Sequence, residues 1–224
     1  MPADRRSAAS PEHSPQWRVG SKRALIWTAL WLIVAGLVMA DVRFHGQLIQ
    51  HDAAVAQWIH EHATAQAAQL CGYVTQAGSL AASLSVGILV ALWLTVRKRW
   101  GWLIWWILAL CGGGLCTDLL KRLFTRPRPV MYTFFPPVSG FSFPSGHTIG
   151  ATILIGMLAY LIMRLAPRRR ERCVVAGLAA SLTLAVAASL VYIGVHFLTD
   201  VLAALALGWA WLGLWILGLE REGD

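Results

Sequence analysis

The sequence has little charge and few cysteines. Asp, Glu, Lys and Arg make up 13% of the 224 residues, which is about half the share found in soluble globular domains. This low charged fraction, together with 57% hydrophobic residues, excludes a disordered chain and argues against a soluble domain. The sequence also lacks a P-loop, a dinucleotide-binding fingerprint and internal repeats, so no nucleotide-binding class is indicated.

Cysteine and histidine give no sign of a disulfide framework or a metal site. The four cysteines lie in or beside apolar stretches and are predicted to be small buried hydrophobic residues: Cys71, Cys111, Cys116 and Cys173. A group of histidines precedes the first of them: His45, His51, His60 and His62. Their spacing matches no recognised metal site, and a solvated helix face explains them. We therefore expect no metal and no cofactor.

Long apolar stretches are abundant. Six of them are long enough to cross the hydrocarbon core of a bilayer, at residues 24–40, 76–96, 100–120, 148–165, 173–191 and 201–219. The prediction is an all-α, polytopic membrane protein whose single domain covers residues 24–219. A disordered cytoplasmic tail is predicted over residues 1–23, and a short cytoplasmic tail over residues 220–224.

The formal net charge of +8 suggests either a nucleic-acid partner or membrane topology, and the positions of the cations decide between them. Most precede the first span, or lie between spans two and three, between spans four and five, or after span six. They are Arg5, Arg6, Arg18, Lys22, Arg23, Arg97, Lys98, Arg99, Arg164, Arg168, Arg169, Arg170, Arg172 and Arg221. All fall on one side of a six-span topology, and the positive-inside rule makes that side cytoplasmic. No nucleic-acid partner is expected.

Residues 47–68, between the first two spans, are too polar to cross a membrane. Leu48, Val55, Trp58 and Ile59 recur there at roughly helical spacing. This pattern predicts an amphipathic helix that lies at the membrane interface.

Four cations crowd into one segment on the opposite side, against the topological rule: Lys121, Arg122, Arg126 and Arg128. Pro127 and Pro129 stiffen the backbone between and after them. Such a group forms an anion-binding surface suited to phosphate. Asp118 precedes them within the third span, and a salt bridge that orients these cations is its expected role.

A second polar segment starts the fourth span, at Pro144-Ser145-Gly146-His147. Free N–H groups at a helix N-terminus, the hydroxyl of Ser145 and the small Gly146 together suit phosphate binding. A simple helix cap explains Ser145 about equally well. His147 is a candidate proton donor.

A third segment lies between spans five and six. His196 and Asp200 are four residues apart, a spacing that on a helix places them on one face. The carboxylate then bonds one ring nitrogen and leaves the other free as a nucleophile. An acid beside a histidine at the membrane edge favours a functional pair over a structural one.

Taken in order, these motifs resemble the type 2 phosphatidic acid phosphatase family. The matching patterns are Lys-x6-Arg-Pro at 121–129, Pro-Ser-Gly-His at 144–147 and Ser-x6-His-x3-Asp at 189–200. The resemblance covers about residues 112–204. It implies a six-helix membrane enzyme with its active site on the periplasmic or extracellular side.

The resemblance also implies the roles of individual residues. His196 would be the nucleophile that forms a phosphohistidine, Asp200 would orient it, and His147 would protonate the leaving oxygen. The phosphate-binding residues would be Lys121, Arg128, Ser145 and Gly146, with Arg122 and Arg126 as further candidates. No metal is needed in this scheme. Membrane lipids surround the enzyme, and the expected substrate is a lipid phosphate or diphosphate at the outer leaflet of a bacterial inner membrane. Polyprenyl diphosphate, phosphatidate, phosphatidylglycerophosphate and lipid A phosphate are the candidates.

Leu190 departs from the family pattern, which usually has a phosphate-binding arginine directly after the first serine of the third motif. Loss of one such donor costs about 3 to 4 kcal/mol of transition-state stabilisation. Either Arg122 or Arg126 takes its place, or activity is reduced or altered. The alternatives to hydrolysis are a lipid phosphotransferase that uses the same phosphohistidine and a low-activity lipid-phosphate binder.

Overall fold

The computed structural model describes residues 19–129 and 138–222. Within these two ranges the chain forms eight α-helices and one 3₁₀ turn, with no β-strand. The elements are α1 Ser21–Phe44, α2 Gln47–His62, α3 Ala65–Thr75, the 3₁₀ turn Gln76–Gly78, α4 Leu80–Val96, α5 Trp100–Phe124, α6 Gly146–Leu165, α7 Arg169–Tyr192 and α8 Leu198–Glu222. The predicted all-α fold is confirmed.

Six helical segments of the described chain are long and apolar enough to cross a membrane. They are Ser21–Phe44, Ala65–Val96, Trp100–Phe124, Gly146–Leu165, Arg169–Tyr192 and Leu198–Glu220. Each contains one of the six predicted spans. The chain is therefore a multi-pass membrane protein, as predicted.

Several predicted boundaries differ from the structure. Helix α1 begins at Ser21, inside the predicted disordered tail, and residues 1–18 of that tail lie outside the described residues. Helix α8 continues through Glu220, which is buried where a tail was predicted. The interfacial helix predicted over residues 47–68 is divided between two helices, since α2 ends at His62 and α3 begins at Ala65. Thr64 caps α3, because its hydroxyl oxygen accepts a hydrogen bond from the Ala67 N–H at 3.3 Å.

Helices α6 and α8 form the centre of the bundle. Helix α8 packs against α1, α5 and α6, and α7 covers the other side of α6. Gly208 lies directly against the Thr152 side chain, so the small residue lets α8 approach α6 closely. Trp106, Met157 and Trp215 are buried in the core between these helices.

The outer faces of the helices are apolar. Cys111, Cys116 and Cys173 are exposed and Cys71 is half-buried, and all four are free thiols. The prediction that the cysteines are buried is therefore wrong. Lipid tails solvate an apolar side chain as well as a protein core does, so hydrophobicity alone does not indicate an inward-facing position in a membrane helix.

The two ends of the bundle carry different connections between the helices. One end, here called the site end, carries the loop after α5, the start of α6 and the connection from α7 to α8. The opposite end, here called the basic end, carries the connection from α4 to α5 with Arg97, Lys98 and Arg99, and the connection from α6 to α7. The three polar motifs of the sequence therefore meet at the site end.

Candidate active site

The loop after α5 is held against the loop before α6. Thr125 ends α5 in a left-handed conformation with φ 43°, and its N–H donates to the Lys121 carbonyl at 3.0 Å. The N–H of Ser142 then donates to the Arg126 carbonyl at 2.8 Å, and its hydroxyl donates to the Pro127 carbonyl at 3.0 Å. These bonds bring the first and second sequence motifs together.

His196 lies in the connection between α7 and α8 and is 3% exposed. Its Nδ1 is 3.3 Å from Oδ2 of Asp200, and the same oxygen accepts the Phe197 N–H at 2.9 Å. Asp200 is in the first turn of α8, whereas His196 precedes that helix. The predicted pair is present, but it does not share a helix face, because the carboxylate folds back over the start of α8. With Nδ1 engaged, Nε2 is the nitrogen left for chemistry.

Two of the predicted phosphate-binding cations lie next to His196. Nη1 of Arg128 is 3.3 Å from Nε2 of His196 and 2.8 Å from the Val195 carbonyl oxygen, to which it donates. Nζ of Lys121 donates to the Phe141 carbonyl at 2.6 Å. The backbone therefore fixes both cations beside the imidazole.

The start of α6 supplies a buried cap and two cavity-lining residues. Ser145 is the N-cap of α6, and its Oγ accepts hydrogen bonds from the N–H of Thr148 at 3.4 Å and from the Thr148 hydroxyl at 3.1 Å. Gly146 and His147 follow it and line the cavity. The first amides of a helix have no partner within the helix, so this end suits an anion. The helix-cap alternative for Ser145 describes its observed contacts, and its contact with phosphate stays a prediction.

A cavity of about 820 Å³ joins the polar site to the apolar surface of the bundle. Its polar end is lined by Lys121, Arg128, Gly146, His147 and His196. Its walls are apolar residues of α4 and α5, including Leu84, Ile88 and Ile107. These three side chains are about half exposed, at 54%, 56% and 47%. A polar head and an apolar tail therefore both find a matching surface.

Arg126 lies behind His196. Its Nη1 donates to Oδ1 of Asp200 at 2.6 Å and to the Thr199 hydroxyl at 2.7 Å, and its Nη2 donates to Oδ2 of Asp52 at 2.7 Å. The guanidinium also lies 4.3 Å from the centre of the Phe197 ring. The sequence suggested Arg126 as a phosphate-binding candidate, whereas the structure pairs it with two carboxylates.

Arg122, the other further candidate, is 75% exposed and pairs with Asp118 at 2.9 Å. The predicted salt bridge of Asp118 is therefore present, although this carboxylate is itself 62% exposed and not buried in the third span. An exposed pair of this kind contributes little stability.

Leu190 occupies the position where the family pattern has an arginine. It is 3% exposed and belongs to an apolar cluster with Val186, Ala187 and Val191. Its side chain therefore contributes to helix packing. Arg126 is engaged by Asp52 and Asp200, and Arg122 by Asp118, so the pairing of these two cations does not favour either as the replacement.

Asp52 of α2 is the functional-site residue that the sequence did not single out. It is 2% exposed and binds Arg126 and Thr199. One signal was available: Leu48, Asp52, Val55 and Ile59 follow the spacing of one helix face, which puts an acid in the middle of the apolar stripe. An acid at such a position needs a buried partner.

Burial favours the neutral form of His196. Burial lowers the pKa of the His196 imidazole below its ordinary value, and the hydrogen bond and charge of Asp200 only partly oppose this effect. The positive charges of Arg128 and Lys121 lower the same pKa further. A neutral imidazole with Nδ1 held by Asp200 has its lone pair on Nε2, and this is the form of histidine that can act as a nucleophile.

Comparisons with known proteins find a matching family and related proteins. A family model described as the PAP2 superfamily matches residues 100–224. Phosphatidylglycerophosphatase B from Bacillus subtilis (strain 168) is 37% identical over 118 residues, which are 50% of this chain and 55% of that protein. The chain thus aligns with about half the length of this curated relative.

Two solved structures share the fold. The first is the crystal structure of a transmembrane PAP2 type phosphatidylglycerolphosphate phosphatase from Bacillus subtilis, with a TM-score of 0.74, 25% identity, and coverage of 90% of this chain and 97% of that one. The second, of Aquifex aeolicus LpxE, has a TM-score of 0.55 at 19% identity and covers 77% of this chain and 95% of that one. The second likeness concerns the fold alone.

Proposed function

The chain belongs to the PAP2 superfamily, and from this membership and the geometry of the site we propose that it is a membrane lipid phosphatase. The reaction is hydrolysis of a lipid phosphate or diphosphate through a phosphohistidine on His196. Phosphatidylglycerophosphate is the first substrate to test, because the curated relative and the more similar solved structure are phosphatases named for it.

The observation that carries this proposal is the shape and chemistry of the cavity. Its polar end brings His196, Arg128 and Lys121 together, and its walls include Leu84 and Ile88, two apolar side chains that are about half exposed. A lipid phosphate matches this arrangement, since its anionic head suits the polar end of the cavity and its apolar chains suit the walls. The substrate therefore enters sideways from the bilayer, with its phosphate at the polar end.

In the first chemical step, Nε2 of His196 attacks the phosphorus atom and forms an N–P bond. The P–O bond to the lipid breaks, and His147 donates a proton to the departing lipid oxygen. Nη1 of Arg128 now lies 3.3 Å from Nε2, so it is placed to bind an oxygen of the phosphate that reaches this nitrogen. Lys121 and the first amides of α6 bind the other oxygens.

In the second step, water attacks the phosphohistidine. His147, neutral after the first step, accepts a proton from this water, the N–P bond breaks and inorganic phosphate leaves. Asp200 fixes the Nδ1 proton of His196 throughout and stabilises the positive charge of the phosphohistidine. Fixed cations and a helix N-terminus supply the charge stabilisation, so the mechanism needs no metal.

The charge distribution supports an outward-facing site. The cations of the basic end, Arg97, Lys98 and Arg99 among them, lie opposite the site end, and positively charged loops stay in the cytoplasm. Both termini are then cytoplasmic, and the site acts on the outer leaflet of the inner membrane of a bacterium.

The experiment is phosphate release from a panel of lipids by purified protein in detergent, with a chelator present. The panel contains phosphatidylglycerophosphate, phosphatidate, polyprenyl diphosphate and lipid A phosphate. Wild-type protein should release phosphate from at least one of them, and His196→Ala should reduce the rate at least about 10³-fold. His51→Ala, which changes an exposed histidine of α2, should keep wild-type activity. Equal release by the His196 variant, or none by wild type, would refute the proposal.

A further inference from the structure

The amphipathic helix α2 buries an acidic side chain, although helices of this type normally bury apolar ones. Among its sixteen described residues, from Gln47 to His62, Asp52 is the one that is buried. An amphipathic helix normally buries apolar side chains, and a carboxylate loses its hydration when it is buried. A specific set of partners must compensate for this loss.

Those partners connect α2 to the catalytic histidine. Oδ1 of Asp52 accepts the Thr199 N–H at 3.0 Å, and Oδ2 accepts both the Thr199 hydroxyl and Nη2 of Arg126, the latter at 2.7 Å. Nη1 of the same guanidinium binds Oδ1 of Asp200 at 2.6 Å, and the other oxygen of Asp200 faces Nδ1 of His196. We call these five residues, Asp52, Arg126, Thr199, Asp200 and His196, the site-end network.

The charges of the network explain why two acids share one arginine. Arg126 bound to Asp200 alone would neutralise the carboxylate that supports His196. With Asp52 on the other side of the guanidinium, the three groups carry a net charge of −1, so a negative charge remains next to the imidazole. Asp52 also holds the guanidinium in position, since its two terminal nitrogens are bound on opposite sides.

We propose that Asp52 is a positioning residue for the phosphoryl transfer, which acts through Arg126 to hold Asp200 in place and charged beneath His196. The inference rests on the proposed function for the reaction that it serves. A purely structural role, in which Asp52 only attaches α2 to the bundle, would explain the same contacts. Replacing Asp52 would break a buried ion pair and destabilise the protein under either explanation. The two explanations differ in what happens to His196.

The first measurement is the titration of His196, which needs no substrate. Protein labelled with ¹⁵N-histidine in detergent micelles gives the titration midpoint of each imidazole, and the His196 signal is assigned by its loss in His196→Ala. The charged groups that face this imidazole are Asp200 of α8, and Arg128 and Lys121 from the other side. Asp52→Asn removes one negative charge from behind Asp200, which disfavours the imidazolium. The midpoint should therefore fall, by about half a pH unit or more.

The matched control is Glu61→Gln, which neutralises an exposed acid of the same helix whose carboxylate accepts a hydrogen bond from the Gln57 side-chain amide at 2.9 Å. It should leave the His196 midpoint unchanged, and Asp52→Glu should restore most of the wild-type value. An unchanged midpoint in folded Asp52→Asn protein would overturn the inference.

Kinetics test the route through Arg126. With phosphatidylglycerophosphate in detergent micelles, Asp52→Asn should lower kcat about 10- to 100-fold, as loss of a residue that orients a reactive group does, with KM changed less than about twofold. In an Arg126→Gln background the same substitution should lower kcat less than about threefold, because the side chain that joins Asp52 to Asp200 is already absent. Equal losses in both backgrounds would contradict action through Arg126.

A second variant covers the case in which Asp52→Asn does not fold. Thr199→Val keeps the backbone N–H but removes the hydroxyl that joins Asp52 to Arg126. It should lower kcat several-fold with KM unchanged, and full wild-type kcat would contradict the inference. If wild type releases no phosphate from any lipid, the proposed function fails while the titration of His196 still decides the role of Asp52.

Discussion

Two buried polar networks lie at opposite ends of the bundle, and they differ in what lies beside them. At the basic end, Oε1 of Glu220 accepts the Tyr160 hydroxyl at 2.5 Å and the Val19 N–H at 3.1 Å. Arg164 approaches the same hydroxyl, with Nη1 at 3.4 Å. We call these four residues the basic-end network. Its carboxylate is 3% exposed, much like that of Asp200 at the site end.

The surroundings separate the two networks. Rings enclose the basic-end network: Tyr160 stacks on Trp102 with centroids 6.2 Å apart and meets the edge of Trp215 at 5.4 Å. The site-end network instead ends at His196, which lines the cavity. A buried carboxylate therefore does not identify an active site by itself. The site-end network differs because it reaches a histidine at a cavity, where we propose the nucleophile, whereas aromatic rings enclose the basic-end network.

The sharpest test of this contrast neutralises Asp200, the acid of the site-end network that contacts His196. Asp200→Asn keeps the size of the side chain but no longer stabilises the charge on His196, and its amide can hold the imidazole in the wrong tautomer. Phosphate release should fall on the order of 10³-fold, with the protein still eluting as a folded species from a sizing column. Retention of more than a tenth of wild-type kcat would contradict the role given to Asp200.

Leu190→Arg tests whether the apolar position in the third motif is a vacant phosphate site. Because Leu190 is 3% exposed within an apolar cluster, an arginine there buries an unpaired charge at a cost of several kcal/mol. The yield of folded protein should drop sharply without any gain in specific activity. Leu190→Met, a volume-conserving control, should stay close to wild type. A Leu190→Arg variant that folds and is more active would show that this position accepts the arginine of the family pattern.

Glu220→Gln is the counterpart of Asp200→Asn at the basic end. The substitution weakens the hydrogen bonds to Tyr160 and Val19, so we expect a loss of about 1 to 2 kcal/mol in stability and a melting temperature lower by a few degrees. Specific activity of the folded protein should stay within about twofold of wild type. A large loss of activity without a loss of stability would remove the distinction between the two networks.

The pH dependence gives the smallest effect. In the proposed mechanism His196 attacks in its neutral form. Burial lowers its pKa, so the neutral form persists to lower pH than in an ordinary histidine. At pH 6 an imidazole with the usual pKa of about 6.5 is neutral in roughly a quarter of molecules. The acidic limb of kcat/KM should lie below that pKa, so that His196 is neutral in more than this quarter of molecules at pH 6. A limb at or above pH 6.5 would contradict the burial argument.

The sequence predicted the parts of the site that are local in the chain. The six spans follow from apolar length, and Lys121, Arg128, His147, His196 and Asp200 follow from short motifs. The site-end position of these motifs follows from counting spans. Each of these inferences needs only residues close together in sequence.

The remaining features depend on contacts between distant segments. Asp52 and Thr199 are 147 positions apart, and Arg126 meets Asp52 across 74. In the sequence Arg126 is one of four cations in a single segment, and no residue near it indicates that its partners are two carboxylates of other helices. Leu190 shows the same limit, because only packing reveals that its side chain fills the core.

The central claim, that His196 is the nucleophile of the site end, is tested most directly by trapping the phosphoenzyme. Protein is mixed with phosphatidylglycerophosphate labelled with ³²P in its terminal phosphate, quenched in alkali to preserve the N–P bond, digested and mapped by mass spectrometry. The account predicts label on the peptide that contains His196, and none in His196→Ala. Turnover with the label on another residue, or turnover that persists in His196→Ala, would contradict it.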